Sequence, residues 1–322
     1  MTHFRTELFI DENPDKIAYK SKILSIGSGF TRTITDPLLK YNFNVLNNPY
    51  GTIYNPISIF NLLRMTINNS EVDQSLVTES EGFWSHYDFH PKTKAGTRAE
   101  LINGLQDKVE TTHEYLKNTD YLVITLGSAF VYRLNSNNRI VANCHRVERN
   151  EFSKDLLTPQ AIVDGFRTVY KSLNNVKNII LVVSPVQHTK DSLTLNAVSK
   201  SVLRLACHMI MSEFAYVKYF PAYEFLLSDL RDYRFYQKDL IHPNELATDY
   251  IFKKFVESYI HPDIKDDILS IEDLLSDMHH APYNPQSKEY QKSLKDVMTR
   301  IDGLTDKMDL SELLESLKDR MI

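Results

Sequence analysis

Short apolar runs alternate with stretches of helical periodicity along most of the chain. Residues 23–26 form the first run and stop at Gly27-Ser28-Gly29, and a helix is expected over 30–40. The run 44–46 stops at the turn Asn47-Asn48-Pro49-Tyr50-Gly51. Ile57, Phe60, Leu63 and Ile67 then share one face of a helix that opens near Pro56. Residues 98–116 read as a helix, 121–126 as a buried strand ending at Gly127, and 140–142 as a short apolar run. A helix from Thr158-Pro159 to about 173 precedes the strand 178–183, which Ser184-Pro185 closes. The helix 190–214 precedes the strand 217–220, and a last helix is expected to begin at Pro243. Strand and helix alternate throughout, which predicts a parallel sheet with helices on both faces.

Two stretches break the pattern. Residues 70–97 read as irregular, although they hold Trp84, the only tryptophan, beside His86 and His90. A long aromatic loop of this kind is either packed or functional, and a lid over a site is one expectation. Beyond residue 262 the chain turns acidic and helical, with turns at 282–285 and near Gly303, and with Leu310, Leu313, Leu314 and Leu317 as an apolar stripe. Residues 1–262 are therefore expected to form the main domain and residues 263–322 a helical extension packed on it.

Composition narrows the class. The 322 residues are 42% hydrophobic and 25% charged, with a net charge of −5, so no basic surface points to nucleic acid. No stretch has the length or apolarity of a membrane span, and the N-terminus carries no export signal, so a cytoplasmic location is expected. Two cysteines, Cys144 and Cys207, make neither a disulfide framework nor a four-thiolate site, and both read as buried thiols. Glycines number only nine, and Gly27, Gly29, Gly51 and Gly127 all fall at strand ends.

In open parallel sheets, sites gather at the carboxyl ends of the strands. That rim collects Ser28, Gly51, Gly127-Ser128, Gln187-His188 and Asp239-Leu240-Ile241-His242. A serine hydroxyl needs a base to become a nucleophile, a histidine supplies it, and a carboxylate holds the ring. The spacing of Asp239 and His242 lets them face each other across one turn. Pro243 suits the first helical position, so His242 is expected to cap that helix, whose positive end disfavours imidazolium. The backbone N–H groups of Ser28 and Gly51 are candidates for an oxyanion. By itself each feature is ordinary: a Gly-Ser-Gly turn is most often a turn, and an Asp-x-x-His before a helix often only caps it.

Eight stretches taken together are specific. They are 25–30 around Ser28, 48–56 from Asn48 to Pro56, 125–129 around Gly127, Val141-Ala142-Asn143-Cys144-His145, 184–188, Ser199-Lys200, 219–224, and 239–243. On these the chain resembles the GSCFA family, a branch of the SGNH/GDSL esterase superfamily. The resemblance implies a three-layer α/β/α fold with a mostly parallel, flavodoxin-like sheet. It implies a serine esterase or acyltransferase that uses no metal or organic cofactor. Ser28 would be the nucleophile, Asp239 and His242 the rest of its triad, and Gly51 an oxyanion donor. The chain departs from the family's name motif in carrying Gly29 where that motif has cysteine, which leaves Ser28 as its nucleophile. It also carries Ser128 where the wider superfamily has asparagine, so the side-chain oxyanion donor lies between Ser128 and Asn143. His145, His188 and Trp84 are candidates for the pocket lining. The expected substrate is a small-molecule or glycan ester. Self-association into a homodimer is left open, as is a binding protein of the same fold without catalysis. A metal-dependent hydrolase built on the histidines has no spacing to support it.

Overall fold

The apolar runs become strands because they are too short for stable helices and apolar on both sides. In a computed structural model, residues 5–173, 176–190, 192–268, 271, 286–305 and 310–321 are described. Their strands are β1 (Lys22–Gly27), β2 (Asn44–Asn47), β3 (Val77–Ser80), β4 (Phe83–His86), β5 (Tyr121–Leu126), β6 (Phe130–Leu134), β7 (Ile140–Val141), β8 (Phe152–Leu156), β9 (Asn178–Val183) and β10 (Val217–Phe220). The helices are α1 (Arg32–Lys40), α2 (Pro56–Asn68), α3 (Arg98–Leu116), α4 (Pro159–Tyr170), α5 (Leu193–Glu213), the single turn α6 (Ala222–Glu224), α7 (Glu245–Tyr259), α8 (Lys288–Asp302) and α9 (Ser311–Lys318).

Five strands form the central sheet in the order β10-β9-β5-β1-β2, and every neighbouring pair is parallel. The chain steps from β1 outward to β2, then crosses back to β5 on the other side of β1. This is the flavodoxin-like order, and the reversal between β1 and β5 opens a crevice at their carboxyl ends. Alternate strand residues serve opposite faces. Leu24, Ile26, Leu122 and Ile124 pack with α2, α3, α4 and α5. Ile23, Tyr121, Val123 and Ile180 pack with α1 and α7, in the same cluster as Leu294, Val297 and Ile301 of α8. The stripe Leu310, Leu313, Leu314 and Leu317 faces that cluster too. The expected turn at 282–285 lies outside the described residues.

Three regions differ from the sequence pattern. The stretch expected to be irregular contains the antiparallel hairpin β3–β4. Its turn residues Glu81 and Gly82 have φ of 55° and 77°, the pair of left-handed conformations that a two-residue hairpin turn requires. The short run 140–142 is an outer strand of a second antiparallel sheet, ordered β7-β6-β8. The polar composition of β3 and β8 hid these strands, because neither has a residue buried in the core.

The last difference touches the site. Helix α7 begins at Glu245, not at Pro243, and its cap is Asn244, whose Oδ1 accepts from Ala247 N at 3.1 Å. Pro243 instead pairs with Tyr236 in an isolated bridge. His242 is therefore two residues outside the cap, and the helix end does not act on it as a cap would. Replacing Asn244→Ala should lower stability by about 1–2 kcal/mol, the usual worth of such a cap. Thermal unfolding will show a lower midpoint, and an unchanged midpoint would contradict the assignment.

Candidate active site

Ser28 follows the last residue of β1. Gly27 there has φ of 133°, and a Cβ on it would stand 2.1 Å from the Thr125 carbonyl oxygen. Only glycine lets the two strand ends approach this closely. Ser28 is extended (φ −61°, ψ 151°), is 3% exposed, and opens a 3-10 turn at Gly29–Thr31. Its N–H donates to Thr125 O at 2.8 Å, and its Oγ accepts a long bond of 3.4 Å from Phe30 N. A Cβ on Gly29 would meet only Thr52, at 3.6 Å, so space does not demand glycine at the position where the family motif has cysteine.

Asp239 and His242 are brought together as the spacing suggested. Leu240 takes the left-handed conformation (φ 58°) and folds the turn back on itself. Asp239 Oδ2 lies 2.7 Å from His242 Nδ1. Its Oδ1 accepts from His242 N at 3.0 Å and Ile241 N at 2.9 Å. These two backbone donors, and then the His242 ring, lower the Asp239 carboxyl to about 2. The carboxylate is thus ionised at neutral pH and sets the ring orientation, with Nε2 as the nitrogen left for a substrate-side proton. Both side chains are about half exposed, so the pair contributes little to stability and its value lies in orientation.

Hydrogen bonds and ring contacts link Ser28 to this pair around the rim. Thr125, which receives the Ser28 N–H, lies just before Gly127, and the N–H groups of Gly127 and Ser128 both donate to Tyr54 O, at 2.9 and 3.1 Å. The Tyr54 ring meets the edge of His188 at 5.4 Å. His188 follows Gln187, whose N–H donates to Ile241 O at 3.4 Å. No hydrogen bond joins Ser28 to His242 among the described residues.

The candidate oxyanion donors are engaged. Ser28 N–H is held by Thr125, and Gly51 N–H donates to Asn48 O at 2.8 Å. Gly51 has φ of 79°, and a Cβ there would stand 2.4 Å from the Cβ of His90. The 3-10 turn leaves the N–H of its first residue, Gly29, without an acceptor inside the turn. Ser128 Oγ accepts from Phe130 N at 3.1 Å and meets Ser199 Oγ at 3.4 Å. Asn143 is half-buried and its Oδ1 accepts from His145 N at 2.9 Å, an ordinary turn contact.

The remaining candidates divide. His145 is buried, its Nε2 lies 2.8 Å from His86 O, and burial pushes it down to about 4, so it is neutral at pH 7. His86 is buried in the hairpin, with Nε2 2.9 Å from Asp73 O and Nδ1 accepting from Asp88 N. Trp84 is half-buried and packs on the core of the sheet. His90, by contrast, stands against Gly51 on the rim. Cys207 is buried and Cys144 half-buried, and burial raises their thiols to about 12 and about 11. Among the described residues no three metal-binding side chains gather, and no helix is long and apolar enough to cross a membrane.

Helix α5 carries a feature that sequence reasoning noted only as part of a family stretch. Lys200 is fully buried, and its Nζ donates to Gly127 O at 2.7 Å and to Ser184 O at 2.6 Å. The signal was present: Asn196, Ser199 and Lys200 continue the inward stripe of Leu203, Ala206, Cys207 and Ile210. Loss of hydration pushes the amine down to about 7, against about 10.4 in an unfolded chain. Between these values the unfolded chain binds one more proton, so stability rises with pH from about 7 to 10 and is flat below 7. Urea midpoints from pH 7 to 9.5 should therefore climb for the wild type relative to Lys200→Met. Parallel curves would contradict a neutral buried amine.

No curated protein matches the chain. Among solved structures, a chain from Streptococcus pneumonia named for platelet activating factor is 12% identical, with a TM-score of 0.36, over 77% of this chain and 84% of that one. LAE5, an alpha/beta hydrolase enzyme from the metagenome of Lake Arreo, Spain, is 14% identical, with a TM-score of 0.35, over 75% of this chain and 96% of that one. Residues 271–322 match the C-terminal domain of GSCFA domain proteins. Residues 22–255, which hold the whole central sheet, Ser28 and the Asp239–His242 pair, match the GSCFA family itself, and the chain belongs to that family.

Proposed function

We propose that this protein is a serine hydrolase or acyltransferase of the SGNH/GDSL kind, acting on an acyl ester of a carbohydrate or small molecule. The observation that carries the reading is the Asp239–His242 pair, closed at 2.7 Å on the same strand-end rim that holds Ser28 at the switch point of the sheet. In this mechanism Ser28 Oγ leaves Phe30 N, attacks the acyl carbonyl carbon and gives its proton to His242 Nε2. Asp239 holds the Nδ1–H and steadies the imidazolium. Collapse of the tetrahedral intermediate expels the alcohol, which takes the proton from His242 and leaves an acyl-Ser28 ester. Water, or an acceptor hydroxyl, then repeats the sequence in reverse and frees the serine. The N–H groups of Gly29, Ser28 and Gly51 are the candidate donors to the developing oxyanion, and the last two would have to exchange their present acceptors for it.

Hydrolysis of short p-nitrophenyl esters tests this directly. Asp239→Asn should lower kcat by about 10³-fold, because the amide no longer fixes the ring tautomer. Activity equal to wild type would remove Asp239 from the mechanism.

A second reading is a carbohydrate- or metabolite-binding protein that keeps the fold without turnover. The internal engagement of the Ser28 and Gly51 N–H groups favours it. Ligand binding that survives Ser28→Ala, in a protein with no esterase activity, would support that reading over the first.

A further inference from the structure

We propose that Lys200 is a positioning residue of this site, tying the end of β5 to the end of β9 so that the rim loops carrying Ser128 and His188 keep a fixed separation. The inference rests on the hydrolase reading for its kinetic consequence but not for its structural one.

A helix packed on a sheet normally turns only apolar side chains inward. Helix α5 breaks that rule at its N-terminal end. Asn196, Ser199 and Lys200 are 4%, 2% and 0% exposed. Each grips the rim. Asn196 Oδ1 accepts from His188 N at 2.9 Å, and its Nδ2 donates to Gln187 Oε1. Ser199 Oγ accepts from Ala129 N at 2.8 Å. Lys200 Nζ joins Gly127 O to Ser184 O. These two carbonyls lie just beyond the last residues of neighbouring strands, where the ladder between β5 and β9 has ended. Among the described residues no carboxylate pairs with the amine, and both of its acceptors are backbone carbonyls. An apolar side chain of the same length would leave both carbonyls unsatisfied in a buried setting, and the loops would part to rehydrate them.

The catalytic consequence follows from geometry. The Gly127 loop is bonded to Tyr54, whose ring meets His188, and the adjacent Gln187 is bonded to the His242 loop. A shift of about 1 Å at this joint displaces the base relative to Ser28, a displacement of the size that costs about 10²-fold in rate.

The test compares wild type, Lys200→Met, which keeps length and loses both donors, and Lys200→Gln, which keeps a two-donor NH2. Amide hydrogen exchange and ester hydrolysis are measured on folded protein, with active sites counted by a fluorophosphonate probe. Lys200→Met should raise exchange of the Ser128 and His188 amides at least tenfold and leave the β1 amides unchanged. It should lower kcat per active site about 10²-fold with KM moved less than about threefold, and Lys200→Gln should recover part of both effects. Unchanged exchange at Ser128 and His188, or unchanged kcat per labelled site, overturns the proposal. If Lys200→Met does not fold, Lys200→Gln against wild type carries the test, with a smaller rise in Ser128 and His188 exchange expected and unchanged exchange overturning the proposal. If the wild type neither labels nor hydrolyses esters, the hydrolase reading fails, and the exchange result alone still decides whether Lys200 holds the rim.

Discussion

Ser28→Ala should reduce ester hydrolysis by at least about 10³-fold while leaving the protein folded. The size follows from the mechanism: without the hydroxyl no acyl-enzyme forms, and only binding and the oxyanion donors continue to act. The small structural effect follows from the contacts. Ser28 Oγ makes one bond, a 3.4 Å contact from Phe30 N, at the start of a three-residue turn. Losing that contact should cost no more than about 1 kcal/mol. The diagnostic outcome is therefore a loss of turnover with a thermal midpoint close to wild type. Retained turnover in the alanine variant would show that another group performs the attack.

The second large effect is structural and lies one residue away. Gly27→Ala should destabilise the protein by about 3–5 kcal/mol, combining an unfavourable φ with overpacking against main chain. The φ of 133° is one that residues with a side chain rarely adopt, and the new methyl would stand 2.1 Å from Thr125 O, an atom that cannot swing aside. The Ser28 N–H bond to the same carbonyl would be displaced with it. Gly29→Ala is the control, because its Cβ would meet Thr52 at an ordinary 3.6 Å. Urea unfolding of the two variants should separate them by several kcal/mol. Equal stabilities would mean that β1 and β5 do not close on Gly27 as described.

The three inner strands of the central sheet were legible because each is a mainly apolar run buried on both sides, while the partly buried edge strands Asn44–Asn47 and Val217–Phe220 were legible from the turn residues that stop them. Tyr121–Leu126 and Asn178–Val183 are buried at every position. The outer sheets were not legible as strands, since segments such as Phe152–Leu156 place consecutive polar residues between two apolar ones, without alternation, and resemble loop. The Asp239–His242 contact could be read from spacing, because a three-residue turn permits few other arrangements. The cap at Asn244 could not be separated from Pro243, since both are favoured at helix starts. The state of the oxyanion donors was beyond sequence: whether the N–H of Ser28 or Gly51 faces a substrate or a neighbouring carbonyl depends on how the turns dock. Lys200 illustrates the same limit. A lysine within a helix is ordinarily solvated, and only the docking of α5 on β5 and β9 buries it.

The hydrolase reading turns on whether Ser28 is an activated nucleophile. Incubating the native protein with a fluorophosphonate and mapping the labelled peptide measures this most directly. The mechanism requires covalent, stoichiometric labelling at Ser28, with the rate sharply reduced in His242→Ala, where the base is gone. A native protein that stays unlabelled, or that labels at another residue at the same rate in both forms, would contradict it.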